Sequence, residues 1–116
     1  MRRRKRKFLV VCSGGMHRSP VIADYLEEIA RVRGYNYEFR SSGSRNHSRE
    51  IRNLQEKGYE IISVSENVTR ELSEEHIHPD YQFPIDITQR WVYGEGPISD
   101  LEGVFNVLIA NDENSY

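Results

Sequence analysis

Phe8-Leu9-Val10-Val11-Cys12-Ser13-Gly14-Gly15-Met16-His17-Arg18-Ser19-Pro20 is the stretch on which the reading of this chain turns. Phe8 to Val11 are four apolar residues with the composition of a buried strand, and they run directly into the single cysteine of the protein. Gly14 and Gly15 follow. Glycine tolerates the positive φ angles and close approaches with which successive amide groups curl around an anion. Ser19 and Pro20 then have the signature of a helix start: serine suits the N-cap, and proline suits the first helical position, whose N–H has no intrahelical partner anyway. The expected product is an anion-binding turn at a helix N-terminus, with a thiol at its entrance and the Arg18 guanidinium at its far end.

That spacing suits phosphoryl transfer. A free thiol ionises near about pH 8.5 and attacks poorly while protonated, but helix-terminal amides, Arg18 and the Ser19 hydroxyl all favour the thiolate. Cys12 is the expected nucleophile. Arg18 can grip two phosphoryl oxygens as a planar fork and follow them as charge shifts, which a lysine cannot do. The phosphate is expected to sit against Ser13, Gly14, Gly15, Met16, His17, Arg18 and Ser19. The reaction implied is transfer of a phosphoryl group to sulfur, then hydrolysis of the thiophosphate.

The segment resembles the phosphate loop of the low-molecular-weight protein tyrosine phosphatases, in which Cys-x-Gly-Asn-x-Cys-Arg-Ser-Pro follows the first strand. Cys12, Gly14, Arg18, Ser19 and Pro20 match that pattern. Gly15 stands where the family has an asparagine that buttresses a left-handed turn, a conformation glycine adopts unaided. His17 stands where the family has a second cysteine that guards the nucleophile. The resemblance implies a three-layer α/β/α fold with a small, mainly parallel central sheet and the phosphate loop between strand 1 and helix 1. It also implies a phosphorylated substrate, phosphotyrosine protein above all, and no cofactor.

Downstream, Val21, Ile22, Tyr25, Leu26, Ile29, Ala30 and Val32 have helical spacing, and Gly34 is the expected stop. Tyr35 to Phe39 alternates aromatic and polar residues, which predicts a second strand, parallel to the first after a helical crossover. Ser41-Ser42-Gly43-Ser44 resembles the Ser-Ala-Gly-Thr of the phosphatase family, and Ser41 matches the hydroxyl that supports the loop there. A short helix is expected over 48–57, capped by Ser48 and stopped by Gly58. Gly58-Tyr59-Glu60-Ile61 and Thr69-Arg70-Glu71-Leu72 echo family segments that precede the next helix. His76, His78 and Asp80 lack a convincing further ligand, so no metal is expected. A strand is expected from Tyr81 to Ile87, at an edge because Pro84 removes a ladder donor. The last helix carries Leu101, Val104, Phe105, Leu108 and Ile109 on one stripe, with Ser99 and Glu102 as a capping box.

The family closes its site with an Asp-Pro general acid ahead of an Asp-Phe-Glu segment. Asp100-Leu101-Glu102 resembles the latter, but the Asp-Pro slot falls near residues 89–92, where no acid stands. Proton donation to a leaving oxygen contributes roughly 10²–10⁴-fold in rate. Asp86 is the first substitute, with Glu95 and Asp100 behind it. Trp91 and Tyr93 occupy the region where family members hold aromatics beside the substrate ring.

Composition bounds the rest. The 116 residues suffice for one domain, read here as a basic arm over 1–7 and a phosphatase-like domain over 8–116. With 16 basic and 18 acidic residues the net charge is −2, and no aromatic residue is interleaved with the block at 2–7, so nucleic acid is not expected as a partner. No apolar run approaches the ~20 residues of a membrane span. One cysteine, no signal peptide and a thiolate that needs reducing surroundings point to the cytoplasm. Two further readings compete. Sugar-transport IIB phosphocarriers also place Cys-Ser-x-Gly-Met after a first strand, without needing Arg18 or a general acid; a catalytically weak phosphate-binding module is the other. Arsenate reduction would require more cysteines than this chain has.

Overall fold

Strand β1 (Arg6–Cys12) contains the apolar run, and Phe8, Leu9, Val10 and Val11 are all fully buried. Side chains of a strand alternate between faces, so an unbroken buried run requires cover on both sides of the sheet. The computed structural model describes residues 5–13, 18–44, 47–83 and 98–113, and of Arg18, residues 98–100 and residues 112–113 it describes the backbone alone. Within those residues β1 lies inside a four-stranded, wholly parallel sheet of order β2-β1-β3-β4. β1 starts at Arg6, so two residues read from sequence as part of a basic arm belong to the sheet.

Helix α1 (Arg18–Arg33) follows the loop, and then come β2 (Tyr37–Gly43), α2 (Ser48–Glu56), β3 (Tyr59–Ser63), α3 (Glu66–Glu74), β4 (Tyr81–Gln82) and α4 (Ile98–Glu113). The chain steps outward from β1 to β2, then back past β1 to β3. With right-handed crossovers those opposite steps put α1 and α2 on opposite faces. The packing agrees: α1 lies on β1, β2 and α4, while α2 and α3 lie on β3. This is the α/β fold expected from the sequence.

Several boundaries differ from the sequence reading. Gly34 does end α1, at φ +79°, but Tyr35 N–H still bonds back to Ala30 O at 2.8 Å and belongs to the cap. The second strand therefore begins at Tyr37 and runs on to Gly43, which pairs with Cys12. α1 begins at Arg18, so Ser19 is in its first turn and not at the N-cap. Ser48 likewise is the first residue of α2, with His47 at the N-cap making no side-chain cap bond. Thr69-Arg70-Glu71-Leu72 lies inside α3 instead of ahead of a helix, and Ser65 caps that helix by accepting from Val68 N–H at 3.2 Å. α4 already includes Ser99, although its stripe is as expected, with Leu101, Val104, Phe105 and Leu108 buried.

β4 is short. Tyr81 pairs with Ile62, and Phe83 N–H donates to Ser63 O at 2.8 Å. Pro84 to Ile87, the rest of the expected strand, lies outside the described residues. No helix among the described residues is long and apolar enough to cross a membrane.

Candidate active site

In an open parallel sheet, ligands bind beyond the carboxyl ends of the strands where the strand order reverses. Here β1 leads outward to β2 while β3 lies on its other side, so that point is the end of β1. Cys12 is the residue there. Its side chain is 3 % exposed. Strand alternation explains its direction: Arg6 reaches a carbonyl of α4 and Phe8 packs on the ring of Tyr37, which also meets Phe105 of α4, so Cys12 shares the face that α1 and α4 cover.

Cys12 Sγ donates to Ser19 Oγ at 3.2 Å, and Ser19 Oγ in turn donates to the carbonyl of Ser42 at 3.2 Å. Ser19 is fully buried. Freed from the N-cap position, its hydroxyl ties α1 to both β1 and β2. When Cys12 ionises, the same hydroxyl can turn its proton to the sulfur. The N-terminal amides of α1, beginning at Arg18, add the positive end of a helix dipole within a few residues of the thiol.

A second set of contacts holds the far side. Ser44 N–H donates to Cys12 O at 2.7 Å, extending the β1–β2 ladder by one bond. Ser13 Oγ donates to Glu71 Oε1 at 3.4 Å, and Ser44 Oγ donates to Glu71 Oε2. Across the reversal point, Val64 N–H donates to Val11 O at 3.3 Å, so the start of the β3–α3 connection is fixed against the end of β1.

Of the residues expected from sequence, the structure brings together Cys12, Ser13 and Ser19, and it puts the backbone of Arg18 at the start of α1. Ser41 lies in β2 opposite Val10 and is half-buried; the β2 atom on Ser19 is the Ser42 carbonyl. Gly14, Gly15, Met16, His17, Asp86, Trp91, Tyr93 and Glu95 lie outside the described residues, as do the side chains of Arg18 and Asp100. Sequence reasoning missed Ser42, Ser44 and Glu71. Ser44 could have been found, since it closes the same Ser41-Ser42-Gly43-Ser44 motif; Glu71 had no local signal, because only the sheet order brings α3 to this edge.

A surface groove of about 510 Å³ beside α1 is lined by Asp24, Glu27, Glu28, Arg31, Tyr35 and Tyr37, and its three carboxylates repel an anion. Asp80 pairs with the backbone of Ile61 through both its carboxylate, at 2.7 Å, and its N–H, at 2.9 Å. Among the described residues no group of three or more His, Cys, Asp or Glu side chains could hold a metal ion.

No protein-family model matches this sequence, and no curated protein does either. A solved structure does: the solution structure of a low molecular weight protein tyrosine phosphatase from Bacillus subtilis superposes with a TM-score of 0.54, at 16% sequence identity, over 94% of this chain and 97% of that one. At that identity the likeness is one of fold, and it extends along nearly the whole of both chains.

Proposed function

We propose that this protein is a cysteine-dependent phosphomonoesterase acting through a phosphocysteine, with aryl phosphates of the phosphotyrosine kind as its substrates. The observation that carries the reading is the buried Cys12 thiol at the carboxyl end of β1, hydrogen-bonded to the Ser19 hydroxyl in the first turn of α1. The phosphatase fold of the solved neighbour supports it. In this reading Cys12 Sγ forms the S–P bond as the ester P–O bond breaks, and Asp86 gives its proton to the departing oxygen. Water then attacks phosphorus and gives a proton to the Asp86 carboxylate, the S–P bond breaks, and phosphate leaves with the thiolate restored. Arg18 and the loop amides of residues 13–19 hold the three equatorial oxygens. Asp86 is the substitute acid of this reading; it follows by four residues the end of β4, which lies at the same edge of the sheet as Cys12.

The test is turnover of para-nitrophenyl phosphate and phosphotyrosine peptides by the purified protein beside Cys12→Ser. We expect Cys12→Ser to lower kcat by at least about 10³-fold, the scale on which removing a nucleophile acts. Equal turnover by the two proteins would overturn the reading. An inactive wild-type protein that accepts label from a phosphohistidine donor would be a carrier instead.

A further inference from the structure

We propose that Glu71 is a positioning residue of the phosphate site, acting on the loop through Ser13. This role rests on the reading of Cys12 as the nucleophile of an anion loop. Its basis is a closed ring of contacts. Cys12 is bonded covalently to Ser13; the Ser13 hydroxyl donates to one oxygen of Glu71, the Ser44 hydroxyl donates to the other, and Ser44 N–H returns to the carbonyl of Cys12 at 2.7 Å. Glu71 therefore joins the first residue of the loop to the first residue after β2, and both to α3.

The anchor of that ring is firm. Glu71 precedes Leu72 and follows Val68 by three positions, and both apolar residues are buried against the core, at 1% and 0% exposure. The N-terminal end of α3 is fixed by the Ser65 cap. With the helix held, the carboxylate has little freedom to drift. Its two oxygens accept from two hydroxyls whose main chains are one hydrogen bond apart, an arrangement that defines the direction in which the chain leaves Cys12.

A carboxylate beside an anion site works against the anion by simple repulsion. What Glu71 contributes through the two serines is therefore placement. Glutamine has the same length and can serve the same two serines, accepting from one and donating to the other, since a serine hydroxyl rotates to suit. The proposal thus separates two substitutions: Glu71→Gln keeps the ring and removes the repulsion, whereas Glu71→Ala removes the ring.

The experiment is protection of Cys12 against iodoacetate by inorganic phosphate, measured as the phosphate concentration that halves the alkylation rate. Wild type should be protected. Glu71→Ala should need about tenfold more phosphate, the loss expected when hydrogen bonds to a charged group disappear, and Glu71→Gln should need no more than wild type. Ser44→Ala combined with Glu71→Ala should add little to Glu71→Ala alone, as partners in one ring do. Glu71 lies half-buried on the surface of α3, so both variants should fold, and the thermal midpoint measured alongside identifies one that does not. Protection of Glu71→Ala equal to wild type, or Glu71→Gln weakened as far as Glu71→Ala, overturns the proposal. A wild-type thiol that phosphate fails to protect removes the phosphate site itself, and this role with it.

Discussion

The Ser19 hydroxyl carries one hydrogen and faces two acceptors, the Ser42 carbonyl and, once Cys12 ionises, the sulfur 3.2 Å away. In the thiol form the chain of donation runs from Cys12 to Ser19 to Ser42; in the thiolate form Ser19 must reverse toward sulfur. If Cys12 is the nucleophile proposed above, Ser19→Ala should move the pH dependence of its alkylation upward by about one unit, since a hydrogen bond to a charged group is worth about 1.5–3 kcal/mol and one pKa unit about 1.4. Stability should fall less, because the Ser42 carbonyl loses a single neutral donor, about 1 kcal/mol. Alkylation with an unchanged pH profile would show that Ser19 does not partner the sulfur. Cys12 and Ser19 were legible in the sequence because they are seven residues apart and belong to one recognisable sequence motif. Their partners were not. Ser42 contributes a backbone carbonyl, which every residue possesses, and Glu71 comes from an element 58 residues after Ser13.

Arg6 shows how the elements are joined at the opposite edge of the sheet. Its guanidinium donates to both oxygens of Glu60 on β3 at 2.8 and 2.7 Å, to the Leu108 carbonyl of α4 at 2.6 Å and to the Tyr81 hydroxyl of β4 at 3.1 Å. It also lies 4.8 Å above the centroid of Phe8. Burial alone would lower its pKa, yet the carboxylate of Glu60 and the hydroxyl of Tyr37 hold it above the ordinary arginine value, so it stays charged. The Arg6 side chain is 5% exposed and that of Glu60 is 30% exposed, so a stranded Glu60 keeps part of its water. Arg6→Ala should therefore cost about 3 kcal/mol, near the lower end for breaking a buried pair, read as a lower urea midpoint at unchanged slope. Arg6→Lys should recover only part of that, because a point charge cannot span Glu60 and Leu108 together. A midpoint unmoved by Arg6→Ala would show the clamp to be idle. The elements themselves were legible where apolar spacing repeats, as in β1, α1 and α4. They were misplaced where a cap decided the boundary: Tyr35 looks like strand but serves the end of α1, and Ser48 looks like a cap but starts a helix. β3 was not recognised as a strand in its own right, since Tyr59-Glu60-Ile61-Ile62-Ser63 shows its buried character only once β1 and the flanking helices are in place.

Across the whole molecule the two edges of the sheet divide the labour. The carboxyl edge carries the thiol, the hydroxyls and Glu71, while the amino edge carries the charged networks, and parallel strands guarantee the separation because all begin at one edge and end at the other. Besides the Arg6 clamp, the amino edge holds Tyr59 of β3, whose hydroxyl donates to Glu38 of β2 across the intervening Lys7 of β1. That hydrogen bond, aided by Lys5, Arg40 and Lys7 and opposed by burial, lowers the pKa of Glu38; burial and the same bond raise that of Tyr59. The sign of the consequence follows from each direction. Glu38 ionises more readily in the folded state, so its contribution is present above the ordinary glutamate value of about 4.3 and is lost as pH falls through the lower folded value. Tyr59 holds its proton more tightly when folded, so its contribution is present below about pH 10 and is lost as pH rises through the higher folded value. The pair therefore stabilises the fold across the neutral range and weakens at both ends. Glu38→Gln should lower stability at pH 7 by about 1 kcal/mol, discounted for the partial exposure of that side chain, and should flatten the fall between about pH 5 and pH 2 measured by urea midpoints. Tyr59→Phe should flatten the same acid limb by removing the donor that lowers the Glu38 pKa. Because this edge is remote from Cys12, phosphate protection of the thiol at pH 7 should be unchanged in Glu38→Gln. An acid limb parallel to that of wild type in both variants would show that the pair contributes nothing, and a loss of protection would show that the two edges are coupled.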